Sequence, residues 1–260
     1  MISITPTSEA LGFGQFPKTR PPLPDAYLAL YEREYLANRT SGGFANQVAR
    51  KLESWMHVKA RESARKARDE VLELGAGSLN HLPWEGDVAA YDVVEPFRAL
   101  FEGSENLASV RDVYDQVSDV PAERRYDRIL SVAVLEHMLD LPKEIALAST
   151  HLRDDGVFCA GFPSEGGWLW EMARRYGTGT AFRRRTGLDY AVMMRHEHVN
   201  TADEIEGCVR YFFNDVSLQR FPTGMRSLSL YTFVAATGAN KARCSQFLAA
   251  RREGVPGNAA

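Results

Sequence analysis

Short apolar runs recur along the middle of this chain, and each is closed by residues that turn the backbone. Residues 71–74 read as a buried strand, followed at once by Gly75-Ala76-Gly77. A second strand over 88–94 ends at Glu95, and a third lies near 109–113. The run beginning at Tyr126 and the run leaving the Asp154-Asp155-Gly156 turn toward Phe162 read as two more, with a helix over about 141–152 between them. Thr201 and Glu204 are spaced as a capping box, in which hydroxyl and carboxylate each bond the other's backbone N–H, so a helix is expected from there to about Phe212. Two strands, near 216–221 and 227–236, complete the pattern.

Ahead of these runs the pattern is helical. Pro17, Pro21, Pro22 and Pro24 hold the chain extended until Asp25 can cap a helix over 26–38. Tyr27, Tyr31 and Tyr35 recur every fourth residue, which puts three rings on one helix face. Such a stripe packs against the sheet or serves as a lid. A second helix is expected over about 44–69, where nothing breaks the pattern.

Glycines after a strand let the backbone turn sharply and approach a ligand that a Cβ would block. A carboxylate at the end of the next strand, here Glu95, can accept from both hydroxyls of a ribose. A dinucleotide fingerprint would need a third glycine where this chain has Asn80. The pattern Glu73-x-Gly75-x-Gly77 with Glu95, and further on Val134-Leu135-Glu136-His137, resembles class I S-adenosylmethionine-dependent methyltransferases of the small-molecule branch. That resemblance implies an α/β, Rossmann-like, seven-stranded mixed sheet with helices on both faces and an antiparallel edge hairpin. It implies an N-terminal arm and helical cap over 1–66, and a cofactor-binding domain over 67–260 with a substrate insert at 163–200. It also implies S-adenosylmethionine (SAM) as cofactor. Glu73, Gly75, Ala76 and Gly77 would line its methionine end, Glu95 would hold the ribose, and Pro96 and Phe97 would flank the adenine. Asp115 and Gln116 would reach the adenine edge, and Ser131 would lie beneath the sulfonium. Arg39, at the end of the first helix, could clamp the methionine carboxylate, since a guanidinium matches carboxylate geometry in a fork.

Composition narrows the partners. With 260 residues and 45% hydrophobic content the chain can bury one substantial core, and no stretch approaches the roughly 20 apolar residues of a membrane span. A net charge of −3 gives no general attraction to nucleic acid. Cys159, Cys208 and Cys244 are widely separated and show no paired spacing, so reduced thiols in a cytoplasm are expected. Residues 1–6 lack the build of a signal peptide. A second copy of the chain stays open as a partner.

For a hydroxyl acceptor the protein must supply a base, and the resemblance places His137 in the turn after strand four, where it is slightly favoured over His196 and His198 at the end of the insert. His57, His81 and His151 read as surface or packing residues. Alternate residues such as His196 and His198 share a side only in an extended strand and suggest no third ligand, so no metal is expected. The insert also carries Trp168, Arg183-Arg184-Arg185 and Arg195, which with Tyr31 and Tyr35 would bind the acceptor; the arginines suit an anionic one, phosphorylated, nucleotide-linked or carboxylated, with a saccharide as a concrete case. Amino-base methylation is disfavoured because Ser131-Val132-Ala133-Val134 replaces the Asn-Pro-Pro-Tyr type of motif. The rivals are a protein or RNA methyltransferase and a SAM-binding interaction domain without catalysis.

Overall fold

The computed structural model describes residues 12–31 and 47–253. Seven strands form one sheet: β1 (Glu70–Leu74), β2 (Ala90–Val94), β3 (Asp112–Tyr114), β4 (Tyr126–Val132), β5 (Leu152–Pro163), β6 (Phe213–Pro222) and β7 (Ser229–Ala239). Their spatial order is β3-β2-β1-β4-β5-β7-β6. β1 to β5 pair in parallel, whereas β7 runs antiparallel to both β5 and β6. The order reverses beside β1, between β1 and β4. In open α/β sheets that is where the strand ends diverge and leave a crevice.

Near-continuous apolar runs are what a parallel sheet covered on both faces requires. Leu72, Leu74, Ile129, Phe158, Ala160 and Phe162 point to one face, where they share a core with α3 (Leu141–His151), α7 (Ala202–Phe212) and α8 (Lys241–Glu253). Val71, Val93, Leu130, Cys159 and Phe233 point to the other and pack with Ala60 of α2 (Gln47–Glu62). α2 lies so close that a Cβ on Gly161 would fall 2.8–2.9 Å from the Met56 side chain.

Several expectations shift. α2 stops at Glu62 instead of running to residue 69. Buried Arg128 takes the Ala60 carbonyl at 2.7 Å, and the Asp69 carboxylate accepts from the backbone N–H of Arg65 and Lys66, so tertiary partners end the helix where local propensity would continue it. β2 begins at Ala90 and β3 is displaced to Asp112–Tyr114. Short 3-10 turns, at Leu82–Trp84, Arg98–Leu100 and Glu105–Ser109, occupy the connections from β1 to β2 and from β2 to β3. α8 has no counterpart in the sequence reading.

The insert is helical: α4 (Trp168–Ala173) runs through a π turn into α5 (Gly179–Thr186), followed by α6 (Tyr190–Glu197). The helix that begins at residue 25, α1, packs on this insert and not on the sheet. Tyr27 and Leu30 cluster with Phe182 and Met193, and the Tyr27 hydroxyl accepts from the Asp189 N–H at 2.8 Å.

Candidate active site

The carboxyl ends of β1, β2 and β4 surround a cleft of about 880 Å³. Its floor is the loop after β1. Gly75 has φ +70° and Gly77 φ +52°, in the left-handed region that side chains resist. The Gly75 N–H bonds the Val94 carbonyl at 2.8 Å, which stitches the loop to the end of β2, and Val134 fills the space a Cβ there would need. Glu95 follows β2 and is buried. One of its carboxylate oxygens accepts from Gly77 N–H at 2.8 Å and the other from Phe97 N–H at 2.9 Å, so the carboxylate is fixed against the loop with lone pairs to spare. Phe97, 60% exposed, stands over one wall, beside Pro96, Asp115 and Gln116.

On the opposite side, the turn Leu135–His137 meets the end of α6 and the extended segment before α1. His137 lines the cleft, and its Nδ1 donates to the Glu197 carbonyl at 2.8 Å. Burial, reinforced by nearby His198, lowers the His137 pKa to about 4. His198 lies edge-on to it with ring centroids 4.7 Å apart, and its Nδ1 bonds the Glu165 carboxylate. Although burial opposes it, the net shift of His198 is upward, through the Glu165 hydrogen bond and charge. Arg20 ties this side together. Its guanidinium donates to the carbonyls of His196, Glu197 and His137 at 2.8–3.0 Å while lining the cleft.

A profile of the methyltransferase domain family matches residues 44–210, more than half of the chain. The chain belongs to that family. Its cofactor is SAM. The methyltransferase also shares its fold with solved structures: a SAM-dependent methyltransferase from Thermotoga maritima, described as a possible histamine N-methyltransferase (14% identity, covering 82% of this chain and 96% of that one, TM-score 0.52); the DhpI–SAH complex (13%, 80% and 95%, 0.53); and the plantazolicin methyltransferase BpumL with SAH (11%, 82% and 92%, 0.56). No curated protein matches it in sequence.

The structure brings Gly75, Gly77, Glu95, Pro96, Phe97, Asp115 and Gln116 of the methyltransferase to one cleft, with Tyr31 and His137 across it. Three residues expected at the cofactor stand behind the wall instead. Ala76 is packed in the core, and the Ser131 hydroxyl donates to the Leu74 carbonyl at 3.2 Å, joining β4 to β1. Glu73 is buried beneath the loop, where it accepts from the Tyr91 hydroxyl at 2.7 Å and burial raises its pKa to about 7. Arg39 and Tyr35 lie outside the described residues.

On the acceptor side the corrections are larger. Arg183, Arg184 and Arg195 are exposed and outside the cleft lining, and Trp168 is 60% exposed on the outer surface of the insert. His196 turns away to bond the Pro21 carbonyl at 2.7 Å and meet the Tyr31 ring edge-on. His57, His81 and His151 are all buried, and His57 lines the cleft beside Met56. Sequence reasoning missed Arg20, Met56 and His57 as lining residues. Their only sequence signal is a place in elements expected to cap the cofactor side.

Proposed function

We propose that this methyltransferase delivers the SAM methyl group to a hydroxyl of a small polar molecule that carries no anionic group. The sulfonium supplies a methyl group on an excellent leaving group, so the protein's task is chiefly orientation. Gly75 and Gly77 leave the backbone open for close approach, and Glu95 presents a pre-positioned carboxylate to a ribose. The observation that carries this assignment is the double backbone anchoring of Glu95 within the cleft.

Arg20 closes the acceptor side by binding three carbonyls from two separate elements, which favours a small molecule over an extended macromolecule. The arginine triplet faces solvent and gives an anionic acceptor no partner in the cleft. Of the carboxylates that line the cleft, Asp115 pairs with Arg98, Asp140 with Arg251, Glu144 with Lys143 and Glu197 with Arg20, while Glu95 accepts from backbone N–H groups; Arg20, the one guanidinium among the described lining residues, is already engaged by three carbonyls. Such a lining offers a carboxylate or phosphate no unengaged cation. Labelled SAM incubated with matched panels of polyols, amines and phosphorylated or carboxylated metabolites tests this. Label is expected in the polyol panel; label confined to the amine panel or to the anionic panel overturns the assignment.

A further inference from the structure

Glu136, His137 and His198 form a larger group than a single general base requires. One donor atom from each lies within 4.8 Å of the donor atoms of the other two. Glu136 is 2% exposed, and its Oε2 is buried without a hydrogen-bond partner among the described residues. An orphaned carboxylate oxygen in a protein interior is costly, and it needs a proton, a donor or a cation.

The two imidazoles are oriented in a way that suits the last of these. His137 Nδ1 bonds a carbonyl oxygen, which can only accept, so its proton sits on Nδ1 and the Nε2 lone pair is left available. His198 Nδ1 bonds the Glu165 carboxylate, which fixes the same tautomer. An imidazole that donates one N–H to a carboxylate or carbonyl while offering its other nitrogen is the arrangement that orients histidines on metal ions. The backbone around them is held as well. Val199 and Asn200 N–H groups both donate to the Glu136 carbonyl, at 2.9 and 3.0 Å, and the Asn200 amide spans the carbonyls of Leu135 and Met138.

We propose that Glu136, His137 and His198 bind a divalent transition-metal ion of the zinc class, oriented by Glu165 from behind. Two imidazoles and one carboxylate suit a borderline ion, and three protein ligands leave a coordination position open. With bonds of about 2.0–2.2 Å, tetrahedral donors stand roughly 3.4 Å apart, so the three side chains draw inward on loading. His137 lines the cleft, so the open position is reached from the acceptor side and takes water or an acceptor oxygen or nitrogen. The acceptor role rests on the methyl-transfer reading; the binding of the ion does not.

Co²⁺ provides a spectroscopic test. The full-length protein, stripped with EDTA, is titrated with Co²⁺ and the visible ligand-field bands are followed, with Zn²⁺ as competitor. The expected result is intense bands of a low-coordinate site saturating at one equivalent, displaced by Zn²⁺ and abolished by His198→Ala. Glu165→Gln, which keeps all three ligands, should weaken Co²⁺ binding by about 10–100-fold, the usual cost of losing a carboxylate behind a ligating histidine. This second variant decides the matter if His198→Ala does not fold. A six-coordinate spectrum like that of free Co²⁺, bands that survive in His198→Ala, or an unchanged Co²⁺ affinity in Glu165→Gln overturns the proposal and leaves the group as a hydrogen-bonded relay. SAM calorimetry in EDTA reports separately on the cofactor site, so failure of one assignment is distinguishable from failure of the other.

Discussion

Gly75→Ala tests whether the loop after β1 is shaped by steric exclusion. The substitution places a Cβ on a residue at φ +70°, 2.6 Å from Val134 Cγ2 and closer still to Cγ1. Left-handed backbone costs an L-residue about 1–2 kcal/mol, and forcing atoms into a filled site adds about 1–3 kcal/mol. The expected destabilisation is therefore about 2–5 kcal/mol. Gly77→Ala is the internal control, because Gly77 also has positive φ but nothing lies within 4 Å of its added Cβ. It should lose only the backbone part, about 1–2 kcal/mol. Val134→Ala in the Gly75→Ala background should restore the packing part and leave the backbone part, which a double-mutant cycle isolates. Urea unfolding of all variants followed by tryptophan fluorescence provides the numbers. Equal losses at Gly75 and Gly77, or no coupling between Gly75 and Val134, would refute the reasoning.

Glu73→Gln should make stability more strongly dependent on pH on the acid side. Burial raises the Glu73 carboxyl from 4.5 to about 7, so its burial grows costlier as pH rises through that window, while burial and the neighbouring His81 lower His57 from 6.5 to about 4, so its contribution is lost as pH falls through its own. The variant should be more stable than the parent above pH 7, by up to about 3 kcal/mol, and equal to it below 4.5; a gain independent of pH would exclude the buried carboxyl as its source. Arg183→Ala and Arg184→Ala should leave acceptor KM and cofactor affinity unchanged within twofold, since both side chains are exposed away from the cleft. A salt-sensitive rise in KM in steady-state assays would return these arginines to the acceptor site.

The cofactor side was legible because its signals are local. A strand, two glycines and an acid at the end of the next strand fix each other's relative positions in any parallel βαβ arrangement, and Glu95 falls where that logic places it. The depth of each residue was not legible: Glu73, Ala76 and Ser131 alternate along or beside strands, and a one-residue change of side decides between cleft and core. The acceptor side was hardest because its contacts are long-range. Arg20 acts on carbonyls more than 100 residues away, and no pattern around its prolines announces that. The arginine triplet shows the converse. Its charge is obvious in sequence, but the helical course of the insert turns it to solvent, while the carboxylates that line the cleft are scattered over distant segments. His198 was read with His196 because they are close in sequence, yet the end of α6 separates them and delivers His198 to His137.

Isothermal titration of SAM into the protein and into Glu95→Ala bears most directly on the assignment of this cleft. The parent should bind one SAM per chain. The variant, which loses the acceptor of the Gly77 and Phe97 N–H groups and is compared at a temperature where circular dichroism shows it folded, should bind more weakly by about 1.5–3 kcal/mol, the value of hydrogen bonds to a charged group. Equal affinity in the two proteins, or no binding to the parent, would contradict it.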